Sequence, residues 1–156
     1  MKIHIQDWVF QVDLESTFAH TSRNSANHCN CGYCRNYYDC VDMVYPELRP
    51  FLSQYGVVLE GPSELMPFEP TLVLACYRVY GAVIQWGNAS IYAGTVPVSI
   101  ETEENGSFLI WIGEMALPWC QAEPEGEVIS PANTPEFMER MQHRWYLRYA
   151  DEYSLS

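Results

Sequence analysis

A chain of 156 residues with 48% apolar composition is long enough to build one hydrophobic core, and we predict a single domain over residues 1–156. Eight basic residues against twenty acidic ones give a formal charge of −12, which opposes binding to phosphate backbones and to anionic lipid surfaces. The composition therefore disfavours nucleic acid and membrane surfaces as partners. It favours a basic protein, a cationic small molecule or a metal ion.

The amino terminus and the apolar runs predict a protein that stays inside the cell. Residues 1–7 alternate between apolar and polar side chains and lack the apolar core of a secretory signal. The apolar run from Leu72 to Ile84 is interrupted by Arg78 and Gly81 and is too short to span a bilayer. We therefore predict a cytoplasmic protein without a transmembrane segment. In that compartment cysteines are expected as metal ligands, redox thiols or core residues rather than as disulfides.

The first predicted element is a short hairpin. Apolar side chains recur at every second position on either side of Gln6 and Asp7, namely Ile3, Ile5, Trp8, Phe10 and Val12. The next segment, from Leu14 to Asn27, is polar and shows no sustained period. We predict a loop or a marginal helix there, leading into a cluster of cysteines.

Two helices are predicted after that cluster. From Arg35 the spacing becomes helical and places four residues on one face: Tyr37, Cys40, Val41 and Val44. Pro46 disfavours the helical conformation of Tyr45, so the helix should end there. Pro46 can open a second short helix capped by Gly56, with four residues turned inward: Leu48, Phe51, Leu52 and Tyr55.

An antiparallel sheet is predicted in the middle of the chain. Residues 57–70 are rich in Gly and Pro, which indicates a surface loop. Three strands are expected after this loop, over Leu72 to Ile84, Thr95 to Ile100 and Phe108 to Ile112. Asn105-Gly106 joins the last two strands, and this dipeptide is a strong hairpin signal because both residues tolerate a positive φ.

The carboxy-terminal part predicts a helix from Thr134 to about Tyr149. Thr134 supplies a hydroxyl N-cap, and Pro135 suits the first helical position. An apolar stripe and a neighbouring row of arginines follow four-residue spacing; they are Phe137, Met141, Trp145 and Tyr149, and Arg140, Arg144 and Arg148. The predicted fold is α+β: a mainly antiparallel sheet of about five strands, a helical insertion after the first hairpin, and this C-terminal helix packed on the sheet.

The cysteine cluster is the candidate site. Cys31 and Cys34 have the Cys-x-x-Cys spacing that suits tetrahedral zinc, Cys29 could be a third ligand, and His28 or His20 could be a fourth. His28 and Cys29 are adjacent, and neighbouring residues rarely both reach one ion. Cys40 shares the apolar face of the predicted helix, so we assign it to the core. We predict a structural zinc site at Cys29, Cys31, Cys34 and His28.

Other uses of the cysteines remain open from the sequence. Cys31 and Cys34 could form a thiol-disulfide redox pair, because the helix dipole and Arg35 would favour a thiolate. However, a polar segment precedes the motif where a thioredoxin-like fold would have a strand. Cys76 and Cys120 are expected to be small buried residues. Either could still complete a metal shell from a distance.

The remaining residues favour binding over catalysis. The sequence contains no motif for phosphate binding, dinucleotide binding or a serine nucleophile. The clustered glutamates are expected to be exposed to solvent. Eleven tyrosines and five tryptophans exceed what one small core needs, and aromatic surface is typical of interfaces. We predict a non-enzymatic binding module with a protein partner. An acidic inhibitor or immunity-type protein that covers a basic enzyme is the alternative from the interaction class.

Two stretches carry a family resemblance. Residues 29–38, Cys-Asn-Cys-Gly-Tyr-Cys-Arg-Asn-Tyr-Tyr, are followed by Tyr-Pro-Glu-Leu-Arg-Pro-Phe-Leu at 45–52, with further landmarks at 117–119 and 130–133. This pattern resembles a family of uncharacterised proteins from Firmicutes, often gut clostridia, over nearly the whole chain. The resemblance implies a small cytoplasmic bacterial protein of one domain and carries no activity, cofactor or catalytic residue.

Overall fold

The described part of the protein combines three helices with one seven-stranded antiparallel sheet. The structure is a computed structural model that describes residues 1–69 and 72–121. The elements in chain order are β1 (Lys2–Ile5), β2 (Trp8–Val12), α1 (Leu14–Ala26), α2 (Gly32–Val44), α3 (Leu48–Ser53), β3 (Glu64–Glu69), β4 (Leu72–Gln85), β5 (Ile91–Ala93), β6 (Val96–Thr102) and β7 (Ser107–Ala116). The α+β class, the first hairpin and the helical insertion after it are confirmed.

The sheet has two strands more than the sequence predicts. Its order is β1-β2-β4-β7-β6-β5, with β3 pairing to β4, and every pairing is antiparallel. Strand β3 lies where a loop is predicted, and it contains Pro67. Proline is tolerated there because β3 is an edge strand among the described residues, so no ladder needs its missing N–H. The other addition, β5, is only three residues long.

The long strand β4 organises the sheet by changing its neighbour along its length. Its first half pairs with β3, and its second half pairs with β2. The change falls next to Gly81, which has a φ of +146° and pairs with Val12. A Cβ at this position would lie 1.9 Å from the carbonyl oxygen of Gln11, so only glycine allows the two backbones to approach.

The helices supply one face of the core. Helices α2 and α3 contribute Tyr37, Cys40, Val41, Leu48, Phe51 and Leu52 to a buried cluster with residues from six strands and Tyr55. The predicted inward faces of both helices are therefore confirmed, with one exception. Val44 is 39% exposed, because it is the last residue of α2 and the chain turns away there.

Helix α1 is a full helix of 13 residues where a loop or a marginal helix is predicted. Asp13 caps it by accepting hydrogen bonds from the amide and hydroxyl of Ser16. Its buried residues are Thr17 and Thr21. The Thr17 hydroxyl accepts from the Tyr80 amide at 3.0 Å, and the Thr21 hydroxyl accepts from the Val58 amide at 3.0 Å. The packed face is polar, so an apolar period could not reveal it.

Two predictions lie beyond these residues. The C-terminal helix from Thr134 to Tyr149 falls outside the described part of the chain, and the single domain over residues 1–156 stays a prediction for the same reason. Among the helices that are described, none is both long and apolar enough to cross a membrane.

The first prediction concerns the buried threonine that joins α1 to β4. Thr17→Val keeps the shape of the side chain but leaves the Tyr80 amide without its acceptor, so we expect a loss of about 1–3 kcal/mol in the free energy of unfolding. Urea unfolding measures it. Thr17→Ser is the matched control, since it keeps the oxygen. Equal stability of the valine and serine variants would contradict the account.

Candidate metal centre

The position of helix α2 is fixed by a buried chain of hydroxyl groups. The Tyr37 and Tyr77 hydroxyl oxygens lie 2.6 Å apart, and the Tyr77 hydroxyl donates to the Leu59 carbonyl at 2.7 Å. Burial raises the pKa of both phenols above the ordinary value, so the two remain neutral hydroxyls. Helix α2 is thereby held against β4, and its first turn carries two of the clustered cysteines.

The helix begins three residues earlier than the apolar spacing predicts. Cys31 is its N-cap with an extended backbone (φ −71°, ψ 164°), and the Arg35 amide donates to the Cys31 carbonyl at 2.9 Å. Cys34 is therefore three positions into the helix, on the same side of the first turn as Cys31. The Cys31 side chain does not cap the helix with a hydrogen bond to a backbone amide of the first turn.

The three predicted cysteine ligands come together. The Sγ atoms of Cys29, Cys31 and Cys34 all lie within 4.8 Å of one another, and among the described residues these three form the group able to hold a metal ion. Cys29 folds back over the helix start, where its sulfur accepts a hydrogen bond from the Cys31 amide at 3.4 Å. Cys29 is exposed, and the other two thiols are half-buried.

The crowding of the thiols opposes ionisation of Cys34. The pKa of the Cys34 thiol is raised well above its ordinary value, first by its hydrogen bond with Cys31, then by burial and by negative charge on Cys31 and Cys29. The positive end of the α2 dipole acts in the other direction. A bound cation would reverse this balance, because it would compensate the three negative charges together.

His28 lies outside the group of mutually close ligand atoms in the described part of the chain. Its Nδ1 is 3.0 Å from the Cys29 carbonyl oxygen, and its ring packs on Tyr38 with centroids 4.5 Å apart. The structure thus places His28 beside the cluster and next to Cys29, with its ring on an aromatic neighbour. Its role as the fourth ligand stays a prediction.

Arg35 and Asn36 tie this helix start to the segment that follows β7. The Arg35 guanidinium donates to the Asn30 carbonyl at 2.7 Å and to the Gln121 side chain at 3.3 Å. The buried Asn36 amide donates to the Pro118 carbonyl at 3.0 Å and accepts from the Cys120 amide at 2.7 Å. Arg35 of helix α2 therefore holds the loop that carries Cys29 against the start of the helix. Sequence spacing gave no signal for this contact between distant segments.

A disulfide joins Cys40 to Cys120, which are 80 positions apart. Cys40 is buried in the core as predicted, but the expectation of a thiol there is wrong. Cys120 is exposed rather than buried, because it lies in the irregular segment after β7. The Asn36 amide holds the Cys120 backbone against α2, and this contact brings the two sulfurs together. Cys76 is buried, as expected, and takes no part in the disulfide.

The arrangement suits a soft cation. Three thiolates at the start of a helix match the donor set that selects zinc and other thiophilic ions, and an amide directed at one sulfur is typical of such turns. No protein-family model, curated protein or solved structure matches the chain. The function has to be inferred from the site itself.

The second prediction tests which cysteines are paired. In denaturant without reductant, iodoacetamide should label Cys29, Cys31, Cys34 and Cys76 and leave Cys40 and Cys120 unlabelled, because a disulfide has no nucleophilic thiolate. Peptide mapping by mass spectrometry reads the result. Reduction before labelling is the control and should yield all six. Labelling of Cys120 without reductant would contradict the pairing.

Proposed function

We propose that the chain is a small non-enzymatic binding module in which Cys29, Cys31 and Cys34 hold a structural zinc ion. The observation that carries this proposal is the approach of the three Sγ atoms to within 4.8 Å of one another. In a tetrahedral zinc–thiolate site, sulfurs about 2.3 Å from the ion lie at separations compatible with this distance. A zinc ion would join the exposed loop that carries Cys29 to the first turn of α2 through all three sulfurs.

His28 is the proposed fourth ligand. The Nδ1 atom of His28 lies 3.0 Å from the Cys29 carbonyl oxygen, and the imidazole ring packs on Tyr38. The ring is therefore next to one of the three proposed thiolate ligands. A rotation of the side chain away from Tyr38 would be needed for a nitrogen to reach the ion. His28→Asn separates the alternatives: a visible change in the Co²⁺ absorption bands of the substituted protein supports ligation, and an unchanged spectrum indicates that water or another group takes the fourth position.

A shared ion fits the geometry better than a redox pair. Both roles use the thiolate, and the pKa of Cys34 is raised by its hydrogen bond with Cys31, by burial and by negative charge on its neighbours, which an ion would compensate. A nearby base, or a thiolate without other thiols around it, would favour the alternative of a Cys31/Cys34 redox pair. A third thiol, Cys29, instead shares the same small volume. The three together favour one shared ion.

The third prediction is zinc binding by this cluster. Protein purified without added metal should contain about one zinc per chain, and Cys34→Ser should lose it, because the ion would keep only two thiolates. Elemental mass spectrometry measures the metal. Cys76→Ser is the matched control and should keep the zinc, since Cys76 is buried in the sheet and lies outside the three-cysteine cluster.

Two outcomes would contradict the zinc proposal. One is unchanged zinc in Cys34→Ser; the other is metal-free wild-type protein whose Cys29, Cys31 and Cys34 react freely with a thiol reagent. The structural role has its own readout. Chelation should speed hydrogen exchange in residues 28–35 and leave the amides of β4 and β7 unchanged, because the core of the sheet does not depend on the loop.

The proposed partner is a basic protein. The chain carries a charge of −12, and two apolar side chains near the end of β4, Ile84 and Trp86, are 55% and 54% exposed. Trp86 packs on Trp8 with ring centroids 5.2 Å apart, which holds the indole in place. A pre-ordered, exposed aromatic side chain on a chain of strong negative charge suits a binding site more than a catalytic one. This also keeps the acidic inhibitor or immunity-type role as the second candidate.

The fourth prediction follows from that surface. Binding to a basic partner should weaken steeply as salt is raised, and Trp86→Ser should weaken it further at every salt concentration, because the indole would form the apolar part of the contact. Pull-downs at low and high salt measure both effects. Phe18→Ser is a control, since Phe18 is 58% exposed on α1. Recovery of no basic partner at low salt would count against the proposal.

Family and location belong to the same proposal. The sequence pattern supports kinship with the Firmicutes proteins that it resembles, and that resemblance implies a cytoplasmic location. The Cys40–Cys120 disulfide is the observation that weighs against that compartment, since reduced thiols are the rule there. A structural zinc ion would suit either setting, because a coordinated thiolate resists oxidation.

A further inference from the structure

The two sulfurs of the Cys40–Cys120 disulfide have unequal access to solvent. Cys40 is 0% exposed and belongs to the core face of α2, whereas Cys120 is an exposed residue of the segment after β7. A thiolate that opens a disulfide must reach one of its two sulfur atoms. A reagent in solvent can therefore attack the Sγ of Cys120, and it cannot reach the Sγ of Cys40 while the protein stays folded.

The surroundings of the buried sulfur suit a thiol as well as a disulfide. The Cys40 Sγ lies 3.6 Å from the side-chain oxygen of Asn36 and 3.6 Å from the carbonyl oxygen of Pro118. A thiol can donate a weak hydrogen bond to either oxygen, since a carbonyl oxygen has two lone pairs. Opening of the disulfide therefore leaves the new S–H group of Cys40 with an acceptor already in place.

The segment that carries Cys120 is also held on α2 by contacts that do not involve sulfur. The side-chain oxygen of Asn36 accepts from the Cys120 amide at 2.7 Å. The Gln121 side chain accepts from the Arg35 guanidinium at 3.3 Å and donates to the Asp39 carboxylate at 2.9 Å. A change at the Cys120 sulfur leaves these bonds in place. The two cysteines therefore stay close together after the disulfide has opened, and the pair can form again.

We propose that Cys120 is a reversible modification site at which low-molecular-weight thiols form a mixed disulfide. The thiolate of such a thiol attacks the Cys120 Sγ and forms a new S–S bond, while the bond to Cys40 breaks and leaves its electron pair on the Cys40 Sγ. Cys40 then takes one proton and becomes a buried thiol. In the reverse step the Cys40 thiolate attacks Cys120 and releases the small thiol. The exchange uses neither the cysteine cluster nor a metal ion, so it does not rest on the proposed function.

Two single variants test whether exposure decides which sulfur is modified. Cys40→Ser leaves Cys120 as an exposed thiol, Cys120→Ser leaves Cys40 as a buried thiol, and both lose the same cross-link. Oxidised glutathione should modify Cys120 in folded Cys40→Ser at least about tenfold faster than Cys40 in folded Cys120→Ser, because Cys40 reacts only when the core opens. The rates in denaturant are the control and should be similar. Equal rates in the folded variants would overturn the proposal.

The wild-type protein gives the direct test. Folded protein is equilibrated in a buffer of reduced and oxidised glutathione, the exchange is stopped with acid, and the peptides are mapped by mass spectrometry without reduction. We expect glutathione on Cys120 together with a thiol at Cys40, and we expect removal of free glutathione to restore the Cys40–Cys120 disulfide.

Three results in the wild type would overturn the proposal. The first is glutathione on Cys40 as often as on Cys120, and the second is no glutathione on Cys120 at any ratio of the two reagents. The third is a protein in which Cys40 and Cys120 are both thiols before glutathione is added, because the exchange then has no disulfide to open.

Discussion

The buried hydroxyl contact between Tyr37 and Tyr77 is the constraint on which the site depends. It holds α2 at one rotation against β4, since a turn of the helix about its axis would separate the two hydroxyls and leave the Tyr37 group unsatisfied in the core. With the rotation fixed, Asn36 faces the segment after β7 and Cys40 faces the core. The first turn, with Cys31 and Cys34, is then directed to the protein surface.

Two kinds of cysteine chemistry meet on this one helix. Cys31 and Cys34 are thiols at its start, and Cys40 is in a disulfide two turns later. Their difference follows from their surroundings. Cys40 is buried and meets a cysteine that Asn36 holds in place, whereas the clustered thiols are near solvent and crowd one another. A cation stabilises such a crowded cluster far better than protons do, because it compensates several thiolates at once.

The sequence predicts the elements with apolar periods and misses those whose stabilising contacts are polar or distant. The inward faces of α2 and α3 and the Asn105-Gly106 hairpin were predictable, because local spacing and turn chemistry determine them. Helix α1 was not, since it packs through Thr17 and Thr21. Strand β3 was obscured by Pro67, a residue that only an edge position accommodates.

The candidate site shows the same division. The approach of Cys29, Cys31 and Cys34 follows from their spacing around a helix start, so the sequence could indicate it. The pairing of Cys40 with Cys120 depends on a contact between segments 80 positions apart, and no local pattern encodes that contact. For His28 the local sequence determines only part of the geometry. The turn fixes its neighbour Cys29, whereas the contact of its ring with Tyr38 depends on the packing of the helix.

Anomalous diffraction on either side of the zinc absorption edge tests the central claim most directly, because it locates the ion and its ligands in one experiment. The account predicts a single zinc peak about 2.3 Å from the sulfurs of Cys29, Cys31 and Cys34. A crystal of protein purified without chelator that shows no such peak, with the three sulfurs apart from one another, would contradict it.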